Sequence, residues 1–152
     1  MIDPDVRPVD PDDADDLAQL LLLEREARAA LVGERGGDRW LVEHPEIGPD
    51  WSKRCRAGGT DVLVAHIGDV VVGYLIGLLG DDRIIRVDQV WVTPRARENG
   101  FGDALLAVLI ERAKADGAVA VEGESLPGDR HTKNLYERAG IVARLITTYR
   151  EF

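Results

Sequence analysis

The stretch Val90-Trp91-Val92-Thr93-Pro94-Arg95-Ala96-Arg97-Glu98-Asn99-Gly100-Phe101-Gly102 decides the fold of this chain. It begins as an apolar strand that ends at Val92, breaks at Thr93-Pro94, and continues into a basic turn with two glycines. A helix is predicted over 103–115, because apolar residues recur there on one helical face. The unpaired N–H groups and the positive dipole of a helix N-terminus suit a phosphate, and glycine lets a ligand approach the backbone. The stretch therefore predicts a phosphate-binding turn between a strand and a helix.

Length and composition indicate one globular domain over residues 1–152. An apolar fraction of 45% with mixed charges is typical of a soluble protein with a real core. No apolar run approaches the roughly 20 residues that cross a bilayer, and the acidic start lacks a signal-peptide pattern. A single cysteine, Cys55, fits a reducing compartment. We therefore expect a cytoplasmic protein without a membrane partner.

The net charge of −9 narrows the class of partner. Phosphate backbones are bound by clustered lysine and arginine, so the acidic balance argues against a nucleic-acid partner. Long-range attraction favours cationic partners instead, although acidity can equally serve solubility.

Periodicity and turn residues predict the element order β-α-(α)-β-β-β-α-β-α-β. The strands are predicted at Val6–Val9, Val62–Ile67, Val70–Leu79, Arg83–Val92, Val119–Glu122 and Ile141–Phe152. One helix is predicted to start at Asp10, and others are predicted near Asp50–Arg56, over 103–115 and over Asn134–Ala139. The rest of 38–60 is predicted to be a loop. A helix joins strand 83–92 to strand 119–122, so this pair is expected to be parallel, after an antiparallel meander.

Two motifs resemble the GNAT superfamily of N-acetyltransferases. The spacing Arg97-x-x-Gly100-x-Gly102 resembles its acyl-CoA loop, and Asn134-Leu135-Tyr136-Glu137-Arg138-Ala139-Gly140-Ile141 resembles the segment that packs beside the acyl-CoA. The competing nucleotide motifs need a third glycine or a Gly-Lys-Ser/Thr, and neither is present. The resemblance implies an α/β GNAT fold: a mixed, mostly antiparallel sheet, flanked by helices, whose parallel fourth and fifth strands splay around acetyl-CoA.

The resemblance also implies where acetyl-CoA would bind. The fourth strand would carry a bulge near Val90–Val92, and backbone groups of Val90 and Val92, on either side of Trp91, would hold the pantetheine arm. The N–H of Val90 would face the thioester carbonyl. The pyrophosphate would lie on the turn formed by Arg95, Arg97, Glu98, Asn99, Gly100, Phe101 and Gly102. Many members have glycine at the position of Glu98, whose carboxylate would repel the phosphates. Only its backbone N–H is needed, so the side chain can point outward, and Arg95 and Arg97 can offset its charge.

Catalytic roles follow from the same resemblance. Tyr136, in the segment that starts at Asn134, would protonate the leaving thiolate or donate a hydrogen bond to it. Asp88 resembles the strand acid that serves as base or amine anchor, and alternation predicts that it shares a face with Val90. Glu122 is the second candidate for the base, together with Glu124. Each carboxylate can instead be a solvated residue at a strand end.

The remaining reactive side chains show no site pattern. His44, His66 and His131 have no metal-ligand spacing with one another or with Cys55, so no metal is predicted. His66 alternates within a strand and is interpreted as structural, whereas His131 precedes the Tyr136 helix and can line the site.

The sequence therefore predicts an enzyme that moves an acetyl group from acetyl-CoA to a primary amine by direct attack. The acidic residues favour a small cationic amine, and a protein amine stays open as the acceptor. The alternative is a non-catalytic acyl-CoA sensor or scaffold with the same fold. A longer acyl chain and a homodimer are also left open.

Overall fold

The computed structural model describes residues 3–152, whose strands form one sheet with helices on both faces. The strands are β1 (Asp5–Pro8), β2 (Thr60–Ile67), β3 (Val70–Leu79), β4 (Ile84–Val92) and β5 (Ala120–Gly123). The helices are α1 (Ala14–Leu31), α2 (Gly37–Glu43), α3 (Trp51–Arg56), α4 (Phe101–Ala115) and α5 (Arg130–Arg138), with short 3-10 turns at Gly48–Asp50 and Pro94–Ala96.

The strands lie side by side in chain order. The pairs β1–β2, β2–β3 and β3–β4 are antiparallel, whereas β4 and β5 are parallel. A parallel pair needs a long crossover, and α4 supplies it between these two strands. The predicted mixed sheet, in which the fourth and fifth strands are parallel, is confirmed.

Two apolar layers cover the two faces of the sheet. On one face, Leu105, Leu106 and Leu109 of α4 pack with buried strand residues, and α5 adds Leu135 and Tyr136. On the other face, α1 and α3 bury residues such as Leu20, Trp51, Tyr74 and Ile76. A fully buried side chain of this kind contributes about 1.5–3 kcal/mol, so these layers dominate the stability of the sheet.

Several predicted helix starts are corrected by the caps that the chain uses. The cap of α1 is Asp13, not Asp10, because the Asp13 carboxylate accepts from the N–H groups of Asp15 and Asp16. At α5, the Asp129 carboxylate accepts from the N–H of Thr132, so that helix begins at Arg130 rather than at Asn134. Side-chain caps of this kind satisfy N–H groups that have no helical partner.

The segment predicted as a loop before α3 contains a further helix, α2. Its N-cap is Gly36, which adopts the left-handed backbone at φ 78°. Arg28 of α1 then anchors its end by donating to the carbonyl groups of Leu41, at 3.2 Å, and His44, at 2.6 Å. Because these contacts come from another helix, the local sequence alone did not indicate α2.

The predicted last strand, Ile141–Phe152, is wrong. Residues 141–152 form no strand and lie almost wholly exposed; Leu145 and Ile146 are 86% and 84% accessible. Apolar, β-branched composition favours a strand only where a neighbouring strand offers a half-buried surface. Here Tyr149 instead packs under the guanidinium of Arg39 on α2, at 4.3 Å from the ring centroid. Within residues 3–152, the structure contains no helix with the length and hydropathy to cross a bilayer.

Candidate active site

The sheet opens between its two parallel strands. Pairing of β4 with β5 runs from Ile84 and Ala120 to Val87 and Gly123, while β4 continues as far as Val92. The N–H of Thr93 donates to Val72 on β3 at 2.8 Å. Backbone groups alternate along a strand, so the N–H groups of Val90 and Val92 point to the open edge of β4. The gap thus carries the N–H groups of Val90 and Val92 on one side.

A bulge in β4 changes which residues face this gap. Ile76 pairs with Gln89 and Gly77 pairs with Val87, so Asp88 is the extra residue of the bulge. The bulge was predicted near Val90–Val92, and the structure places it earlier in the strand. An inserted residue also inverts the alternation that follows it, so the prediction that Asp88 and Val90 share a face is wrong.

The partners on each side show this inversion directly. Val87, Val90 and Val92 all pack in the layer that contains α4, whereas Asp88 contacts side chains from α3 and from the end of α2. The side chains of Asp88 and Val90 therefore lie on opposite faces of the sheet.

A cavity of about 250 Å³ lies where β4 and β5 part. Its polar lining includes three carboxylates and one imidazole, over an apolar floor from β3 and β4. The lining residues are His44, Leu78, Leu79, Gly80, Arg86, Val87, Asp88, Glu122, Gly123 and Glu124. The excess of carboxylates makes the cavity suited to a cation.

Asp88 occupies the centre of a small charged cluster in this cavity. Its side chain is only 15% exposed, and Arg54 Nη1 donates to Oδ2 at 3.4 Å. The His44 Nε2 atom lies 4.0 Å from Oδ1. Sequence reasoning missed both partners, since they come from the segment 38–60 that showed little pattern. The signal in the sequence was its resemblance to the GNAT superfamily, which implies that this segment borders the acceptor site.

Glu122, the second candidate for the base, sits at the exposed rim. Its carboxylate accepts from Arg86 Nε at 3.3 Å, and Arg86 also binds Asp82 through two hydrogen bonds, of 2.8 and 3.1 Å. The hydrogen bonds from Arg86, and the N–H of Ile84, lower the pKa of Asp82 to about 2. Glu122 thus belongs to an ion-pair network on the surface, and its side chain is more exposed to solvent than that of Asp88.

Tyr136 reaches the point where the two strands part. A Cβ atom on Gly123, the last residue of β5, would lie 2.5 Å from Tyr136 Cζ and 2.7 Å from its hydroxyl oxygen. The absence of a side chain at Gly123 therefore lets the tyrosine ring lie against the strand. Burial raises the pKa of Tyr136, and the charges of Asp129 and Glu124 add to the effect. The hydroxyl therefore stays protonated at neutral pH and can donate. Asn134 lies exposed on the same helix.

The turn after β4 presents a free helix N-terminus. Gly100 is the N-cap of α4 at φ 81°, without a side-chain cap, and α4 starts at Phe101 rather than at 103. The first N–H bonded within the helix is that of Ala104, to the Gly100 carbonyl at 2.9 Å. The N–H groups of residues 101–103 are therefore available to an anion. Phe101 itself is buried, and Gly102 lies against Leu135 of α5.

The side chains of this turn divide into two groups. Arg97 folds back on β4: Nε donates to the Val92 carbonyl at 3.0 Å, and the guanidinium covers the Trp91 ring at 4.6 Å. Asn99 closes the turn by donating to the carbonyls of Ala96 and Arg97, at 3.2 and 2.9 Å. Arg95 and Glu98 are exposed. Glu98 adopts φ 64°, a backbone conformation that glycine takes without strain.

The other reactive side chains lie away from the cavity lining. His66 contacts Gly68 and Asp5, His131 is exposed at the start of α5, and burial raises the pKa of Cys55. Among residues 3–152, no group of three or more histidine, cysteine or acidic residues is arranged to hold a metal ion.

A split parallel strand pair, a free helix N-terminus beside it and a buried tyrosine at its mouth define an acyl-CoA-dependent transferase. The family model described as the acetyltransferase (GNAT) family matches residues 15–141, and the chain belongs to that family. It is thus an acetyl-CoA-dependent N-acetyltransferase, and the non-catalytic alternative is not favoured. No curated protein matches the chain.

Solved structures with the same fold extend over nearly the whole chain. The aminoglycoside acetyltransferase AAC(6')-Iy, in complex with the bisubstrate analogue CoA-S-monomethyl-acetylneamine, is 14% identical, with 99% of both chains covered and a TM-score of 0.73. The aminoglycoside acetyltransferase meta-AAC0020, from an uncultured soil metagenomic sample and in complex with sisomicin, is 15% identical over 98% of this chain and 96% of its own (TM-score 0.73).

A third structure has a different kind of acceptor in its name. The ribosomal-protein-alanine N-acetyltransferase from Brucella melitensis biovar Abortus 2308 is 18% identical, with 99% of this chain and 98% of its own covered, at a TM-score of 0.68. At these identities the three structures show a shared fold, so the acceptor of this chain has to be argued from its own cavity.

Proposed function

We propose that the protein acetylates a primary amine of a small cationic molecule by direct attack of the amine on acetyl-CoA. The observation that carries the proposal is the cavity at the end of the β4–β5 pairing. It brings Asp88, Glu122 and Glu124 together beside Gly123, against which the Tyr136 ring lies. An acidic pocket next to a proton-donating hydroxyl suits a substrate that arrives as an ammonium ion and expels a thiolate.

The acetyl-CoA half of the site is supplied by backbone groups. The free N–H groups of residues 101–103, with the positive end of the α4 dipole, would hold the pyrophosphate. The pantetheine arm would enter the split and bond to the open edge of β4. The N–H of Val90 would then point at the thioester oxygen, where negative charge grows as the amine attacks; such a donor contributes about 10²–10³ in rate.

The leaving group would depart beside Tyr136. Because burial raises the pKa of this hydroxyl, it donates a hydrogen bond to the developing thiolate more readily than it gives up its proton. The bond from sulfur to the acetyl carbon breaks, and the new bond joins that carbon to the amine nitrogen. The attacking nitrogen gives up one proton as the amide forms, and the thiolate takes up one proton beside the Tyr136 hydroxyl, so the products are the amide and the CoA thiol.

The acceptor is chosen by charge and size. A cavity of about 250 Å³ admits the amine-bearing end of a molecule rather than a whole drug-sized ligand, for which sites span about 300–1,000 Å³. Its carboxylates attract one ammonium group, and the net charge of −9 adds a long-range attraction that favours an acceptor with several ammonium groups. Aminoglycosides and diamines have this chemistry, and two of the structural neighbours are aminoglycoside acetyltransferases.

A panel of amines tests the proposal. The purified chain would be supplied with acetyl-CoA and, separately, neamine, 1,4-diaminobutane, lysine methyl ester and a peptide with N-terminal alanine, and free CoA thiol would be followed. We expect the multiply charged small amines to give the highest kcat/KM, and their rates to fall as salt rises. Preference for the peptide would assign the chain to protein N-termini. Tight acetyl-CoA binding without thiol release from any amine would contradict catalysis.

A further inference from the structure

One side chain of the cavity wall, His44, has no part in the chemistry described so far. Its ring stacks on Trp40 with centroids 4.1 Å apart and planes 10° from parallel. Its Nδ1 atom lies 3.0 Å from the Trp40 carbonyl oxygen. A carbonyl only accepts hydrogen bonds, so Nδ1 carries the proton and the neutral ring has a free lone pair on Nε2. The end of α2 therefore fixes both the orientation and the tautomer of this imidazole.

The free Nε2 faces the Asp88 carboxylate across 4.0 Å. Both atoms are acceptors, so neither can satisfy the other while the ring is neutral. An ammonium ion has three N–H donors, and one nitrogen placed between the two atoms can reach each at about 2.9 Å. Asp88 and His44 thus form a binding site for a primary ammonium ion, with an anion on one side and a neutral base on the other.

We infer that His44 Nε2 removes the proton from the acceptor ammonium while Asp88 holds the cation in place, an inference that rests on the proposed function. One N–H bond of the ammonium breaks, its electron pair stays on nitrogen, and the proton binds to Nε2. The neutral amine then attacks the thioester carbon. The imidazolium that remains faces the Asp88 carboxylate, which stabilises it until it loses the proton to water.

The division of labour between these two groups follows from their partners. Arg54 donates to Oδ2 of Asp88, which leaves Oδ1, the oxygen nearest to His44, to anchor a cation. Carboxylates have ordinary pKa values near 4, whereas imidazole, near 6.5, is matched to proton transfer at neutral pH. Three carboxylates and three guanidinium groups surround the imidazole, and of the guanidinium groups only that of Arg86 lines the cavity. The charged residues are Asp88, Glu122, Glu124, Arg28, Arg54 and Arg86.

The first test compares pH–rate profiles of the parent and of His44→Gln with neamine or 1,4-diaminobutane as acceptor. A general base contributes about 10²–10⁴ in rate, so we expect kcat/KM of the variant to fall by about that factor near pH 7. The deficit should shrink as pH approaches the pKa of the amine, because the amine then arrives without its extra proton. In His44→Ala, added imidazole should restore part of the rate. A constant ratio of parent to variant across the pH range, or an unchanged rate, would overturn the inference.

A matched control is available in the same chain. His66 also lies beside an aspartate, with Nε2 3.5 Å from Asp5, but on β2, outside the cavity lining. We expect His66→Gln to keep the pH profile of the parent. If both variants lost rate alike, histidine replacement would be acting through stability and the inference would fail.

The tautomer gives a test that needs no turnover. Nitrogen-15 NMR of the protein labelled at histidine should show a neutral ring protonated on Nδ1 whose signal is absent in His44→Gln. His66 also places Nδ1 3.0 Å from a carbonyl, that of Gly68, so its signal is assigned separately by its loss in His66→Gln. A neutral His44 protonated on Nε2 would contradict the inference even if the enzyme acetylates amines. Failure of every amine in the panel, with the Nδ1 tautomer observed, would instead contradict the proposed function and remove the inference with it.

Discussion

The contact between Gly123 and Tyr136 permits a sharp test of the tyrosine without touching the tyrosine itself. An alanine Cβ at position 123 would lie 2.5 Å from Tyr136 Cζ and 2.7 Å from the hydroxyl oxygen. Carbon atoms in contact are about 3.5–4.0 Å apart, so the ring has to retreat by about 1 Å. A misplacement of about 1 Å in a catalytic group costs on the order of 10² in rate. We therefore expect Gly123→Ala to lower kcat about 100-fold.

Gly123→Ala is also expected to lower the free energy of unfolding, and this loss can be measured separately from the loss of kcat. Overpacking of this kind costs about 1–3 kcal/mol, which a thermal melt will measure directly. Gly58 offers the control, because a Cβ there meets no atom within 4 Å and its backbone is not left-handed. We expect Gly58→Ala to retain both the activity and the melting temperature of the parent.

A double-mutant cycle decides whether the two residues act together. Tyr136→Phe removes only the hydroxyl, and we expect it to lower kcat while acetyl-CoA affinity changes little. If Gly123→Ala acts by displacing that hydroxyl, the double variant should be no slower than the slower single variant. Additive losses, or a Gly123→Ala enzyme within about twofold of the parent, would refute the reasoning that the hydroxyl acts at the mouth of the split.

Three further changes test the turn and the charges around the cavity. Glu98→Gly relieves about 1–2 kcal/mol of left-handed strain at φ 64° and costs about 0.5–1 kcal/mol in chain entropy. Denaturant unfolding should therefore show a free energy of unfolding higher by about 0.5–1 kcal/mol. We also expect a lower KM for acetyl-CoA. Gly100→Val forces a branched residue to φ 81° at the cap of α4, and calorimetry should show acetyl-CoA binding lost while the far-UV spectrum is kept. The Asp82–Arg86 pair lowers the pKa of Asp82 from 3.8 to about 2. The contribution of the pair to the free energy of unfolding is therefore complete above pH 3.8 and disappears as the pH falls through 2. The unfolding midpoints of the parent and of Asp82→Asn should converge over that interval.

The parts of the fold that the sequence predicted are those encoded by local pattern. β3 has the predicted bounds, because a β-branched run beside a two-residue Gly68-Asp69 turn leaves few alternatives. The buried stripe of α4 was also read correctly from its helical spacing. Both patterns depend on burial of one face, which tertiary contacts reinforce rather than overturn.

The parts that the sequence did not predict depend on contacts between distant segments. α2 ends where Arg28 reaches across from α1, and this helix places His44 beside Asp88. The C-terminal residues 141–152 have the composition of a strand, but nothing in a local pattern says whether a partner edge is present. His44 and Arg54, the neighbours of Asp88, were not predicted for the same reason, since they reach it from distant parts of the chain.

The bulge at Asp88 shows how one inserted residue decides the chemistry of the site. Because of it, Val87 and Val90 both pack in the layer that contains α4, while Asp88 between them meets Arg54 and His44 on the other face. The sequence held one signal for it: Gly77, inside β3 and opposite the bulge, where glycine often marks a bulge or a close approach. A Cβ on Gly77 would lie 2.5 Å from Leu109 of α4, so this glycine lets the helix pack against the strand pair beside the irregular register. Since β4 and β5 also stop pairing at Val87, the residue before Asp88, the register shift, the Asp88 carboxylate and the gap between the two strands arise at one point of the sheet.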